Sequence, residues 1–320
     1  MPDNRTMHLI LPFASSVSEG CQAALAGLKL PYLQKLLARC TPLPPETGDE
    51  HTLTPPHERA VARALGLPVT DGLVPWAALR ARERNLPQSD GAWAFVTLCH
   101  WQVNTNHMVV SHLPLPDLSV AESDALLAVM RPYFEEDGIA LHPDQPGRWL
   151  AQGDGFANLA CASPERVLCR NLDDWMPTQT AAAALRRLQN EMQMLLYTHP
   201  LHDARTGRGQ VSANSFWISG TGSLPVRYTV PEASAQPTVM HTLRDAALAE
   251  NWPAWTQAWH ATDAQHIQPL LQAVNAGTAV HITLCGERSS QTWHTGPMSV
   301  HQKIKSFFGL QSLPKVLEVL

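Results

Sequence analysis

Arg205 and Arg208 stand in the segment HPLHDARTGRGQVSANSFWISGTG, residues 199–222, which closes on Gly220-Thr221-Gly222. A guanidinium donates from a planar fork and bare glycine amides donate from the backbone. Both geometries suit phosphate or carboxylate oxygens. Read as a helix, an arginine- and glycine-bearing loop, a strand and Gly-x-Gly, the segment is a candidate site for a small anionic ligand, with Arg205 and Arg208 as its clamps. The alternative is a surface loop closed by glycines, because Gly207-Arg208-Gly209 is too short to be a phosphate fingerprint by itself. No G-x-S-x-G, Walker A or G-x-G-x-x-G pattern occurs in the sequence. His100, His107 and His112 lie at odd separations, so on strands neighbouring members face opposite ways unless a bulge intervenes. Trp252, Trp255 and Trp259 share one helix face, a stripe that reads as core or domain contact. Without interleaved basic residues it is no base-stacking platform, and no nucleic-acid partner is expected.

The same segment resembles the archaeal-type cofactor-independent phosphoglycerate mutases, whose stretch is written H-P-x-N-x-x-R-x-x-x-G-x-x-x-A-N before a strand ending R-G-x-G. His199, Pro200, Arg205, Gly209, Ala213, Asn214, Gly220 and Gly222 stand at matching spacing, while His202 replaces the Asn and Ser219 the second Arg. The resemblance adds Asn214 to the anion-binding candidates. These mutases belong to the alkaline phosphatase superfamily, whose core carries two metal ions held by Asp and His and a Ser or Thr nucleophile. By that resemblance, TDAQHIQ supplies Asp263 and His266, Gly286-Glu287 stands where Asp-His follows the strand VHITL, and His294 is the final histidine. Ser15 and Ser16, in Pro12-Phe13-Ala14-Ser15-Ser16, become the catalytic candidates, although the superfamily has a metal-binding Asp-Gly there. No carboxylate follows the first strand until Glu19.

A pair of divalent ions needs several anionic oxygens and oriented imidazoles. Asp263, His266, Glu287 and His294 supply ligands for a single ion at most, zinc or manganese, and none for a second. The expectation is no cofactor, with that single divalent metal as the alternative. Nearly the whole chain also resembles the RpfE-type regulatory proteins of bacteria, through LPFASSVSEGC, LTPPHERAVARALGL, DGLVPWAAL and LQNEMQMLLYTHPLHDAR. Together the resemblances imply a non-catalytic regulatory protein, a pseudoenzyme of phosphoglycerate mutase-like descent that binds a protein partner or a small anion. The alternative is a phosphoryl-transfer enzyme, mutase or phosphatase-like, with an altered metal site.

The elements that must position these residues follow from apolar spacing. His8–Phe13 and Ala279–Leu284 are short apolar runs bounded by turn residues, as buried parallel strands are, and are expected side by side in one sheet. Cys21–Arg39 is helical and restarts at Pro31. Thr41–Pro56, with five prolines, is a loop, and a helix follows over His57–Leu65. Ala92–Cys99 and His107–His112 read as strands. Ser119 with Glu122 forms a capping box ahead of a helix. Gly147–Ala151 and Phe156–Cys161 read as a strand pair turning at Gly153-Asp154-Gly155. Thr180–Tyr197 is a helix, His199–Ser212 a loop and Asn214–Ser219 a strand. The tryptophan helix, a helix over Ile267–Val274 and a short amphipathic tail complete the chain.

These 320 residues, 44% hydrophobic and 16% charged, describe a globular chain able to bury a large core. A net charge of −5, from 23 basic against 28 acidic residues, offers no broad basic face for a phosphate backbone. No apolar run is long enough for a membrane helix, and no export signal is visible. The six cysteines form no C-x-x-C pair and read as free thiols of a cytoplasmic protein. The expected fold class is α/β. A reduced alkaline-phosphatase-like core with a mostly parallel sheet is expected over 1–113 and 213–320, with an inserted α+β subdomain over 114–212.

Overall fold

The computed structural model describes residues 6–87, 90–104, 107–178, 182–233, 236–296 and 313–320. Its strands are β1 (Met7–Leu11), β2 (Thr41–Pro42), β3 (Ala92–Val103), β4 (Met108–His112), β5 (Ala140–Gln145), β6 (Arg148–Gln152), β7 (Ser215–Ser223), β8 (Thr238–Val239), β9 (Val280–Cys285) and β10 (Ser290–His294). The chain forms two compact units. The first holds Met1–Glu50, Pro55–Gly66 and Pro231–Leu320; the second holds His51–Thr54 and Leu67–Val230. The boundaries expected at 113 and 213 differ from these, because β3 and β4 pair within the second unit's sheet rather than with β1.

The first unit is built on a sheet ordered β2-β10-β9-β1-β8. The two apolar runs singled out from the sequence are neighbours and parallel, from Met7 opposite Val280 to Leu11 opposite Leu284. β8 pairs parallel on the other side of β1. The sheet is only partly parallel, since β10 runs antiparallel to both β9 and β2. The physical reason is the link Gly286–Ser289, far too short for a crossover, so β9 and β10 must close as a hairpin. Helix Pro31–Leu37 restarts at its proline as expected. Trp255 and Trp259 are fully buried among Leu25, Leu33, Ile282 and Leu284, so the tryptophan stripe is core. A single π turn, Asp263–Ile267, joins helix Trp252–Thr262 to helix Gln268–Asn275.

The second unit has an antiparallel sheet, β4-β3-β6-β5 with β7 also on β3. Helices Val120–Glu136 and Ala182–Thr198 bury Met130, Phe134, Leu188 and Met192 with Trp149 and Phe216 of that sheet. The capping box is present: Ser119 Oγ accepts from the Glu122 amide at 3.2 Å, and the Ser119 amide donates to Glu122 Oε2 at 3.0 Å. Three local expectations are corrected. The hairpin joins β5 to β6, turning where Gly147 takes φ +76°, while Phe156 lies in a 3-10 turn over Asp154–Asn158. Much of the expected loop 199–212 is a helix, Pro200–Gly207, because His199 caps it and Pro200 suits its first turn. His100 does stand opposite His112, across a register shift between His100 and Trp101. Among the described residues no helix is long and apolar enough to cross a membrane. All six cysteines are free, and only Cys169 is exposed.

Candidate functional site

Parallel pairing brings the carboxyl ends of β1 and β9 together, and ligands of α/β sheets bind outside such ends. The chain leaves β1 through Phe13, whose φ of +58° is unfavourable for a bulky side chain. Two bonds hold that turn: the Ala14 amide donates to Cys285 O at 2.8 Å, and the Trp255 indole to Phe13 O at 2.9 Å. Ser15 is buried. Ser16 Oγ donates to Glu287 Oε2 at 3.1 Å, and the Val17 amide reaches the same oxygen at 3.3 Å. Two of the sequence candidates, Ser16 and Glu287, therefore meet. Burial pushes the neighbouring Cys21 thiol up, against hydrogen bonds from the Ser16 backbone and the Ser15 hydroxyl. The turn after β9 is filled by the chain itself: the amides of Ser289 and Arg288 donate to Leu320 O at 2.8 and 3.3 Å. A Cβ on Gly286 would lie 2.5 Å from the Leu320 backbone.

The other metal-ligand candidates lie elsewhere in this unit. Asp263, only 3% exposed, accepts from the Leu33 amide at 2.7 Å and the Tyr32 amide at 3.1 Å, capping helix Pro31–Leu37 at its positive end. Burial pushes its carboxyl up, and those two amides pull it back. His266 is half-buried in the same π turn. His294 pairs with His281 at the start of β9, whereas Glu287 follows its end. Four residues of strand separate those ends, roughly 13 Å. The four side chains are not brought to one point. Among the described residues no three His, Cys, Asp or Glu side chains are grouped to hold a metal ion.

In the second unit the anion-site candidates are engaged with protein groups. Arg205 is 1% exposed. Its guanidinium donates to Val211 O at 2.8 Å, Pro116 O at 2.9 Å, and Asp117 O and Glu122 Oε2 at 3.2 Å each. Half-exposed Arg208 donates to Glu122 Oε1 at 2.5 Å. The anion facing both guanidinium groups is thus Glu122. Donation from the Ser119 backbone holds its carboxyl below the usual range, and the two arginines add to that. Asn214 clasps the backbone of Trp101, accepting from its amide and donating to its carbonyl at 2.7 Å each. That clasp sits where β3 changes register. Gly220, at φ +62°, has no room for a Cβ, which would lie 2.9 Å from the Phe95 ring. Residues the sequence reading passed over are His8 and His281, aligned with His294 across three strands. Only strand register could have revealed that row.

No family model matches the chain. Over 119 residues it is 25% identical to a probable 2,3-bisphosphoglycerate-independent phosphoglycerate mutase of Geobacter sulfurreducens, a stretch that covers 37% of this chain and 30% of that protein. That match supports phosphoglycerate mutase-like ancestry. Two solved structures are similar over most of their length. A cofactor-independent phosphoglycerate mutase of Thermoplasma acidophilum matches at 12% identity and a TM-score of 0.38, covering 98% of this chain and 100% of that one. The PH0037 protein of Pyrococcus horikoshii matches at 13% identity and a TM-score of 0.42, covering 94% and 90%.

Proposed function

We propose that this chain is a non-catalytic, cytoplasmic regulatory protein of the bacterial RpfE type, a pseudoenzyme on a reduced alkaline-phosphatase-like core, acting by binding a protein partner or a small anion. The observation that carries this reading is the placement of the residues the superfamily would use for metal. Glu287 is bonded to Ser16 and Val17, Asp263 caps a helix, and His294 lies at the far end of β9. Phosphoryl transfer of the superfamily's kind needs a nucleophile and cations gathered around one phosphate. Without that convergence, several kcal/mol of transition-state stabilisation are missing, on the order of a thousandfold or more in rate. The test is an assay of manganese- or zinc-loaded protein with both phosphoglycerates and an aryl phosphate. No turnover is expected. Turnover above about 1 per second that is abolished by His294→Ala would overturn the reading.

One observation favours the second reading, a phosphoryl-transfer enzyme with an altered site. Glu287 accepts from the Ser16 hydroxyl at 3.1 Å, the relation of a base to a nucleophile. In that case Ser16→Ala and Glu287→Gln would each abolish aryl phosphate hydrolysis.

A further inference from the structure

In the first unit, His8 of β1 pairs in register with His281 of β9, which pairs with His294 of β10. Directly paired residues share a sheet face, so the three imidazoles form one row across the strands. Their ring centroids are 5.5 Å apart from His8 to His281 and 5.9 Å from His281 to His294. A chain of hydroxyls runs beside the row: His8 Nε2 lies 2.8 Å from Thr283 Oγ1, itself 2.8 Å from Thr292 Oγ1. Over this face opens a cavity of about 690 Å³, lined by His8, His281, Thr283 and Thr292 and rimmed by Glu46 and Arg63. Glu46 is shared between two guanidinium groups, Arg63 and buried Arg59, the latter at 3.2 Å. The rim therefore carries one net positive charge before any imidazole is protonated. Among the described residues the His281 ring takes part in no hydrogen bond, its contacts being with the two flanking imidazoles.

We propose that this cavity on the sheet face binds a small oxyanion, a carboxylate or a phosphate or sulfate group, and binds it more tightly as the pH falls. Hydroxyls and neutral imidazoles supply hydrogen bonds, and the surplus guanidinium charge selects an anion over a cation. The rings stand in a file, so the outer two cannot reach one ion together, and His8 Nε2 is held by Thr283. That argues against a three-histidine metal site. The groups facing the row are Glu46 from the segment after β2, and Arg63 with Arg59 from helix Pro56–Ala64. Burial holds His8 at about 4, and burial with the charge of His294 holds His281 below its ordinary value. An anion in the cavity offsets that repulsion and favours protonation; reciprocally, protonation tightens the anion. The cavity lies along the strands rather than at their carboxyl ends. The inference is therefore independent of whether Ser16 and Glu287 do chemistry.

The test uses sulfate, whose charge is constant over the range, titrated calorimetrically into the full chain at about pH 7.5 and about pH 5, with glycerol as a neutral control. Saturable sulfate binding is expected, about tenfold tighter at the lower pH. Imidazole NMR signals of His8 and His281 should shift on addition. His281→Gln should remove the pH dependence and keep residual binding, whereas Arg63→Ala should weaken binding at both pH values. Circular dichroism would confirm that each variant is folded. Absence of saturable binding at pH 5, equal binding at both pH values, or binding of glycerol as strong as that of sulfate would overturn the proposal. So would a pH response that survives in a folded His281→Gln variant.

Discussion

Arg205 places a charge where water cannot reach it, and everything its guanidinium touches is protein: three carbonyl oxygens and the Glu122 carboxylate. Removing one member of a buried ion pair leaves the other uncompensated, which is far more damaging than losing a surface pair. Arg205→Ala should therefore destabilise the second unit by about 3–5 kcal/mol. Arg208→Ala, at a side chain 50% exposed, should change stability by less than about 1 kcal/mol. Urea unfolding of both variants checks the contrast, and near-equal losses would refute the structural role given to Arg205. The sequence makes the donor chemistry of these arginines plain. It does not reveal the acceptor, because Glu122 lies 83 residues away in the chain and looks from sequence like a helix cap only. It is that cap and an ion-pair partner at once.

At the scale of elements, the pairing of β1 with β9 stacks His8 against His281 and buries it. Burial, with the charge of His281, holds the His8 imidazole at about 4, below its ordinary 6.5. Between those values the unfolded chain binds more protons than the folded one, so stability rises with pH. The contribution is complete above about pH 6.5 and is lost as the pH falls toward 4. Discounted for partial exposure, it amounts to about 1–2 kcal/mol. Urea midpoints at pH 7 and pH 5, in a buffer without sulfate or phosphate, should differ in the wild type. The difference should shrink in His8→Asn, and an unchanged slope there would remove His8 from the account. The strands themselves are legible, as apolar runs cut short by turn residues. Their register is not, since sliding β9 by one residue would reverse every side chain.

At the scale of the molecule, the chain passes from the first unit to the second and back between Glu50 and Pro55, again near Gly66, and returns near Pro231. The proline-rich stretch Thr41–Pro56 is less open than its composition suggests. β2 pairs with β10, the Leu43 amide donates to Thr292 O at 2.8 Å, and Glu46 exchanges backbone bonds with Ser290. Farther on, the Leu53 and Thr54 amides donate to the Asp71 carboxylate at 3.0 and 2.8 Å. What is left untied by backbone bonding is the short run around Thr47–His51. Proteases need a segment that can leave its bonds and extend. Limited proteolysis should cut there before any other described segment, with the two products identified by mass spectrometry. First cleavage within 41–46 would contradict this account of the loop.

Local chemistry was decided by the sequence: which runs are apolar, where proline restarts a helix, that Ser119 and Glu122 form a cap, and that the tryptophan stripe belongs to a core. These depend on neighbours within a few residues, and spacing encodes them. The tertiary structure alone decided what each functional candidate faces. Arg205 meets Glu122, Ser16 meets Glu287, Asp263 meets the first amides of a distant helix, and His294 joins a row with His281 and His8. Each of those meetings is set by strand order, register or helix placement. These arise from burying whole faces of elements together, so no pattern along the chain records them.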